Sequence, residues 1–211
     1  KYYIIDRTAS GERIERLSDQ LVTNIEGDFK TLFDLGDSIV SGISQTDTFA
    51  ASIRNILDLY PNTEAKPGEI QAIYEEIPEK VWKNNFPINE VLLIDSEGTA
   101  INAATKTVFS DVVPLNLSKR NYFLSHKNNG SWDFNRDFAS KFYIESIKSY
   151  NSGAQETAIS FCLNKNTFLG EKAPYMVITS HIPTLYDQVL PPDVQFVVID
   201  DLGEVLFHSD Q

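Results

Sequence analysis

The chain has 211 residues, 42% hydrophobic and 23% charged, with a formal net charge of −12. This is an ordinary globular composition, enough for one large domain or for one domain and part of another. The acidic balance repels phosphate backbones, and the densest basic stretch, "SKRNYFLSHK", holds three full positive charges, so nucleic acid is excluded as a partner.

The chain opens on "KYYIIDR" without an initiator Met, which reads as a segment of a longer protein. From Ile14 onward apolar residues recur at helical spacing: Ile14, Leu17, Leu21, Ile25, Phe29, Leu32, Ile39 and Ile43. A mean step of about 3.6 predicts one long helix, with an apolar stripe facing a core or a second copy of itself. Gly27, Gly36 and Gly42 are places where it can bend, each weakening a helix interior by up to about 1 kcal/mol relative to Ala. "DTFAASIRNILDLY" predicts a second helix, capped by Asp47 and stopped by Pro61. A third helical piece is predicted through "PGEIQAIYEEIPEKVWKN", interrupted or restarted at Pro78.

The period then changes to that of strands. "EVLLID" and "TAINAA" predict a hairpin around Ser96, Glu97 and Gly98, where Gly supplies a positive φ. "LSKRNYFLSHK" predicts a short helix with Ser118 as its cap. "NNGSWDFNRD" reads as loop, and "KFYIESIKSY", "ETAISFCLN" and "PYMVITSHIP" read as three strands. "PTLYDQVLPPD" predicts a brief helix, and "QFVVIDDLGEVLFH" a closing hairpin that resembles the first. Helices gathered before and between sequential antiparallel strands imply an α+β fold. No Gly-rich phosphate loop joins a strand to a helix, so a nucleotide-binding α/β sheet has no support.

Cys162 stands alone, so no intrachain disulfide forms, and its apolar run "TAISFCL" predicts a buried, inert thiol. No run approaches the roughly 18 apolar residues of a membrane span, and no signal peptide is present. His126, His181 and His208 share no metal-ligand spacing, so no metal or other cofactor is expected. Glu75-Glu76, on the predicted third helix, and Asp200-Asp201, in a turn, read as solvated pairs. With no G-x-S-x-G word and one Cys in a strand, nothing indicates an enzyme. Asn116 and Asn129 head glycosylation triplets of a kind that arises often by chance.

The element order, with "LLIDSEGTAI", "SKRNYF" and "FYIESIKSYNSGAQETAISF" in it, resembles the extracytoplasmic PAS-like sensor domains called Cache domains, found in bacterial transmembrane receptors. The resemblance implies a long N-terminal helix followed by a PAS-like antiparallel sheet with flanking helices. It divides the chain into a helical segment (1–60), a membrane-distal ligand-binding module (61–183), and a linker helix with the first hairpin of a membrane-proximal module (184–211). On this reading Asp95 and Asp200 head equivalent hairpins of tandem modules; the alternatives are a common Asp-x-x-Gly turn used twice, or one domain whose sheet the last hairpin completes.

In amino-acid-binding members of that family an Arg in an R-x-W-Y word holds the ligand carboxylate. Here the word is "RNYF", so Arg120 matches while Tyr122 and Phe123 replace the two aromatics. A guanidinium fork suits a carboxylate; the alternative for Arg120 is an ion pair with Asp111 or Asp133. The pocket floor would include Tyr143, with Tyr143 and Glu145 facing opposite to Phe142 and Ile144, and Tyr150 beside it; core packing is the alternative for both tyrosines. Trp132 would lie in the lid, with partial burial against the sheet as its alternative, and His181, at the end of its strand, could face the pocket. The implied function is the extracytoplasmic sensor region of a membrane-anchored receptor, binding a small molecule, for which a carboxylate or amino acid is one candidate, and signalling through the N-terminal helix, which could also pair in a homodimer. A histidine kinase is the first output expected; a chemotaxis receptor, a cyclic-di-nucleotide enzyme, or a non-signalling adhesion domain are the alternatives.

Overall fold

The computed structural model describes residues 2–5, 11–41, 48–58, 73–76, 87–106, 116–150, 152–191, 194–200 and 202–209. Helix α1 (Gly11–Ser41) runs unbroken through Gly27 and Gly36 for 31 residues, about 46 Å at the usual rise. Leu21, Ile25, Leu32 and Ile39 of the predicted stripe are buried along it, with Leu17 and Phe29 packed against the same core. Gly36 has a reason to be there: a Cβ would come within 3.3 Å of the Phe161 ring and 3.4 Å of the Phe138 ring, so glycine lets the helix lie close to the sheet. Helix α2 (Thr48–Asp58) follows and buries Phe49, Ile53 and Leu57. Ile43, Gly42 and the expected punctuators Asp47 and Pro61 lie outside the described residues.

The strands are β1 (Tyr2–Ile5), β2 (Ile73–Glu76), β3 (Ile88–Ile94), β4 (Ala100–Thr105), β5 (Trp132–Arg136), β6 (Ala139–Lys148), β7 (Gln155–Leu163), β8 (Tyr175–Ser180), β9 (Gln195–Ile199) and β10 (Val205–His208). Two further helices are short: α3 (Asn121–Lys127) and α4 (Pro183–Tyr186). The fold is therefore α+β, a leading helix followed by an antiparallel sheet with flanking helices. The main sheet has the order β2-β4-β3-β8-β7-β6-β5. Its six strands from β4 to β5 are antiparallel, and β2 joins the β4 edge in parallel.

Two predictions are corrected here. Within the expected third helix, residues 73–76 are strand, so Glu75 and Glu76 sit on a sheet edge. The open hydrogen-bonding edge of β4 outweighs a weak local helical period. The stretch read as loop contains β5, in which Trp132, Phe134 and Arg136 are partly covered while Asp133 and Asn135 are exposed. That alternation is a strand signal, obscured by the polar residues that carry half of it.

Alternate residues of the central strands of the main sheet face opposite helices. One face carries Val91, Leu93, Ile144, Ile159, Phe161 and Ile178 into the core shared with α1 and α2. Here the Asn102 side chain donates to the carbonyls of Ile56 (3.0 Å) and Leu57 (3.2 Å), satisfying acceptors that the last turn of α2 leaves open. The other face carries Leu92, Ile94, Ala158 and Val177 against α3.

The last hairpin does not complete the main sheet. Strands β9 and β10 form a separate three-stranded sheet with β1, in the order β1-β9-β10. Its Phe196, Val198 and Phe207 enter the α1 core, where the Phe29 and Phe207 rings lie 6.2 Å apart.

Candidate functional site

Helix α3 is seated on the sheet by contacts that differ from those predicted. Ser118 is not its cap: the cap position is Arg120, which makes no side-chain capping bond, and the Ser118 hydroxyl donates to Asn116 Oδ1 at 2.6 Å. The missing acceptor comes from the sheet instead. Glu145 Oε1 on β6 accepts the Tyr122 backbone N–H at 2.8 Å, a carboxylate at a helix N-terminus. Ser160 Oγ on β7 donates to the Tyr122 carbonyl at 3.0 Å, and His126 Nε2 lies 2.9 Å from Ser160 Oγ. With the one Ser160 proton on that carbonyl, His126 donates from Nε2 and its buried Nδ1 is left without a partner. Burial pushes the Glu145 carboxyl up and the His126 imidazole down to about 4.

Tyr122 and Phe123 fill the space beneath α3 and are buried; burial raises the Tyr122 phenol well above its usual value. Tyr143 is half-buried on β6 beside them and opposite Ser160, and burial raises its phenol too. Tyr143 and Glu145 face away from Phe142 and Ile144 as predicted. Cys162 is half-buried on β7 opposite Tyr175, less covered than its apolar run implied.

A cavity of about 250 Å³ opens on this face, lined by no described residue of α3. Glu90 lies on its wall, opposite Thr105 on one side and Thr179 on the other. Glu156 at the start of β7 contributes a second carboxylate, and its Oε1 accepts from Ser152 Oγ at 2.8 Å. Glu90, Glu156, Thr105 and Thr179 are all buried, and Thr179 Oγ1 has no hydrogen-bond partner among the described residues. Ser149, Ser152 and Ala154 of the β6–β7 turn close one side, and Asn89, Lys106 and His181 stand along the others.

The residues singled out in sequence fall in several places. His181 lines this cavity, with its Nε2 2.8 Å from Asp187 Oδ2 and its ring stacked on Tyr186. Tyr122 and Tyr143 belong to the packing under α3. Arg120 does not line the cavity: its guanidinium covers the exposed Tyr150 ring at 3.7 Å from the centroid and donates from Nη2 to the Lys148 carbonyl at 3.1 Å. Asp111 lies outside the described residues, and Asp133 is exposed on β5. Trp132 is on a strand rather than in a lid, at the opposite edge of the sheet. It stacks on Tyr143 at 5.1 Å and lines an apolar groove of about 450 Å³ with Phe29, Phe33, Phe142, Val198 and Leu206.

Sequence reasoning missed Glu90, Glu156 and Thr179. A signal existed: a Glu on the same alternate face as Leu92 and Ile94, and another two residues before Ala158, each put a charge where a strand should be apolar. Carboxylates and hydroxyls arranged in this way are able to hydrogen-bond a small polar molecule. Among the described residues no three His, Cys, Asp or Glu side chains converge as metal ligands would, and no helix is long and apolar enough to cross a membrane. No family model matches the chain, and no curated protein matches its sequence.

Proposed function

We propose that the chain is a ligand-sensing module: the extracytoplasmic sensor region of a bacterial membrane receptor of the Cache type, with a histidine kinase as the output proposed first. The cavity beside Glu90, Glu156 and Thr179 is the observation that carries this reading, because it gathers two buried carboxylates and a buried hydroxyl without a partner, whereas most buried polar groups in proteins are satisfied within the fold. It is supported by the arrangement around it. The strands that line the cavity on one face hold α1 and α2 on the other, through Val91, Leu93, Ile178 and Asn102. A ligand that prefers one setting of those strands biases the long helix by its difference in affinity for the two settings, and by no more than that.

The test is a thermal-shift screen of amino acids, carboxylates, amines and sugars on the wild type and on Ala154→Trp. Ala154 is exposed at the rim, so the larger side chain obstructs the cavity and leaves the core alone. A ligand at a hundred times its dissociation constant stabilises the fold by about 2.7 kcal/mol. Stabilisation of the wild type and not of Ala154→Trp is the expected result. If no compound stabilises the wild type, the sensor reading fails.

A further inference from the structure

We infer that the cavity takes the protonated amino group of a small aliphatic amine, with Glu156 as its counter-charge and Thr179 as a hydrogen-bond acceptor. This rests on the ligand-binding reading above and names the class of ligand.

Glu156 is 2% exposed, and its Oε1 receives one proton, from Ser152 Oγ. Among the described residues no cation pairs with it. A carboxylate has about four acceptor sites, and a buried one lacking a counter-charge is costly. Thr179, 3% exposed and on the same wall, adds a hydroxyl oxygen with no partner. Two acceptor groups therefore face one space. An ammonium group, with three donors and no acceptor, complements both.

The surrounding charge agrees in sign. Glu90 on the neighbouring wall adds a second carboxylate, whatever else it touches. Among the described residues of the lining the one Lys or Arg is Lys106, which is exposed, and the His181 ring is engaged by Asp187. A ligand carboxylate placed beside Glu156 would meet like charge, and Arg120, the residue suited to hold one, does not line the cavity but lies over Tyr150 and bonds the Lys148 carbonyl. At about 250 Å³ the space is also below the range of drug-sized ligands, roughly 300–1,000 Å³, which favours a short chain.

The test compares three probes of equal length, 1,4-diaminobutane, 1,4-butanediol and succinate, by calorimetry and thermal shift at matched ionic strength. The proteins are the wild type, Glu156→Gln, Thr179→Val and, as a control for loose attraction of cations to an acidic chain, the exposed-site variant Glu204→Gln. The expected result is that only the diamine binds. Its affinity falls at least tenfold in Glu156→Gln, falls severalfold in Thr179→Val, and is unchanged in Glu204→Gln. Should Glu156→Gln not fold, Thr179→Val and the three-probe comparison on the wild type still decide. Equal affinity in wild type and Glu156→Gln, equal losses in Glu156→Gln and Glu204→Gln, or preference for succinate or the diol overturns the amine assignment while leaving a ligand site standing. Failure of the diamine to bind also overturns it, and the broad screen with Ala154→Trp then separately decides whether the sensor reading falls too.

Discussion

Asp95 and Asp200 belong to hairpins of different sheets yet make the same turn. Asp95 Oδ1 accepts the N–H groups of Glu97 and Thr99, both at 2.8 Å, and its carbonyl accepts from Gly98. Asp200 Oδ1 accepts those of Leu202 at 2.9 Å and Glu204 at 2.8 Å, and its carbonyl accepts from Gly203. The two glycines have φ of +87° and +88°. The likeness seen in sequence is thus a shared local chemistry, an Asp side chain gathering backbone donors before a left-handed Gly. The hairpins nevertheless build different sheets, so the turn by itself carries no evidence of a repeated module.

The shared turn makes a controlled comparison. An Ala at Gly203 meets nothing within 4 Å and suffers only the left-handed backbone, a cost of about 1–2 kcal/mol. An Ala at Gly98 suffers that cost and also places its Cβ 2.6 Å from Ser118 Cα, a backbone atom that cannot swing aside. Urea denaturation should find Gly98→Ala the more destabilised by at least about 1 kcal/mol. Equal losses would mean that the Ser118 segment yields freely.

His126 predicts an acid limb in the stability curve. Burial lowers its folded value to about 4, below the ordinary 6.5, with the nearby Lys141 charge acting in the same sense. Between those values the unfolded chain binds more protons, so this contribution is complete above pH 6.5 and is lost as pH falls through about 4. Its size is at most on the order of 3 kcal/mol. Denaturation midpoints of the wild type should fall across that window relative to His126→Gln, and parallel curves would show that the imidazole does not titrate in this way.

Glu145 acts with the opposite sign. Burial raises its folded value, so its contribution is complete below the unfolded value of 4.5 and is lost as pH rises through the folded one. Glu145→Gln keeps an oxygen for the Tyr122 N–H and removes the buried charge. The variant should match or exceed the wild type in stability at pH 7, whereas Glu145→Ala should lose about 1 kcal/mol with the cap. A Gln variant as damaged as the Ala variant would mean that the charge itself holds α3.

Arg120 should separate stability from binding. Removing its contact with Tyr150 and its bond to Lys148 should cost about 1 kcal/mol in Arg120→Ala. The affinity of any cavity ligand should change less than twofold. A tenfold loss of affinity with little loss of stability would return Arg120 to the binding site.

The long helix, the first hairpin and the strands β6 to β8 were legible because each has a clear period over many residues. β2 and β5 were not. β2 is four residues whose strand character comes from the edge of β4, and β5 carries three polar side chains in five positions. The cavity was harder still. The alternation of "INEVLLI" and "QETAISFCL" already assigns Glu90 and Glu156 to faces, but their convergence depends on β8 lying between β3 and β7. That order brings together residues 66 positions apart (156 − 90) and leaves no local trace. Arg120 misled for a related reason: a guanidinium's partner is set by what arrives across the fold, here a carbonyl and a ring at the far end of β6.

Asn102 links the two faces of β4 in time as well as in space. Its amide closes the end of α2, while its strand neighbours Ala103 and Thr105 face α3 and the cavity. The last turn of α2 cannot fray without releasing that side chain from two carbonyls. Conversely, β4 cannot detach without uncovering them. Amide protons of α2 and β4 should therefore exchange with solvent as one cooperative unit, and Asn102→Ala should split it into two with separate opening rates.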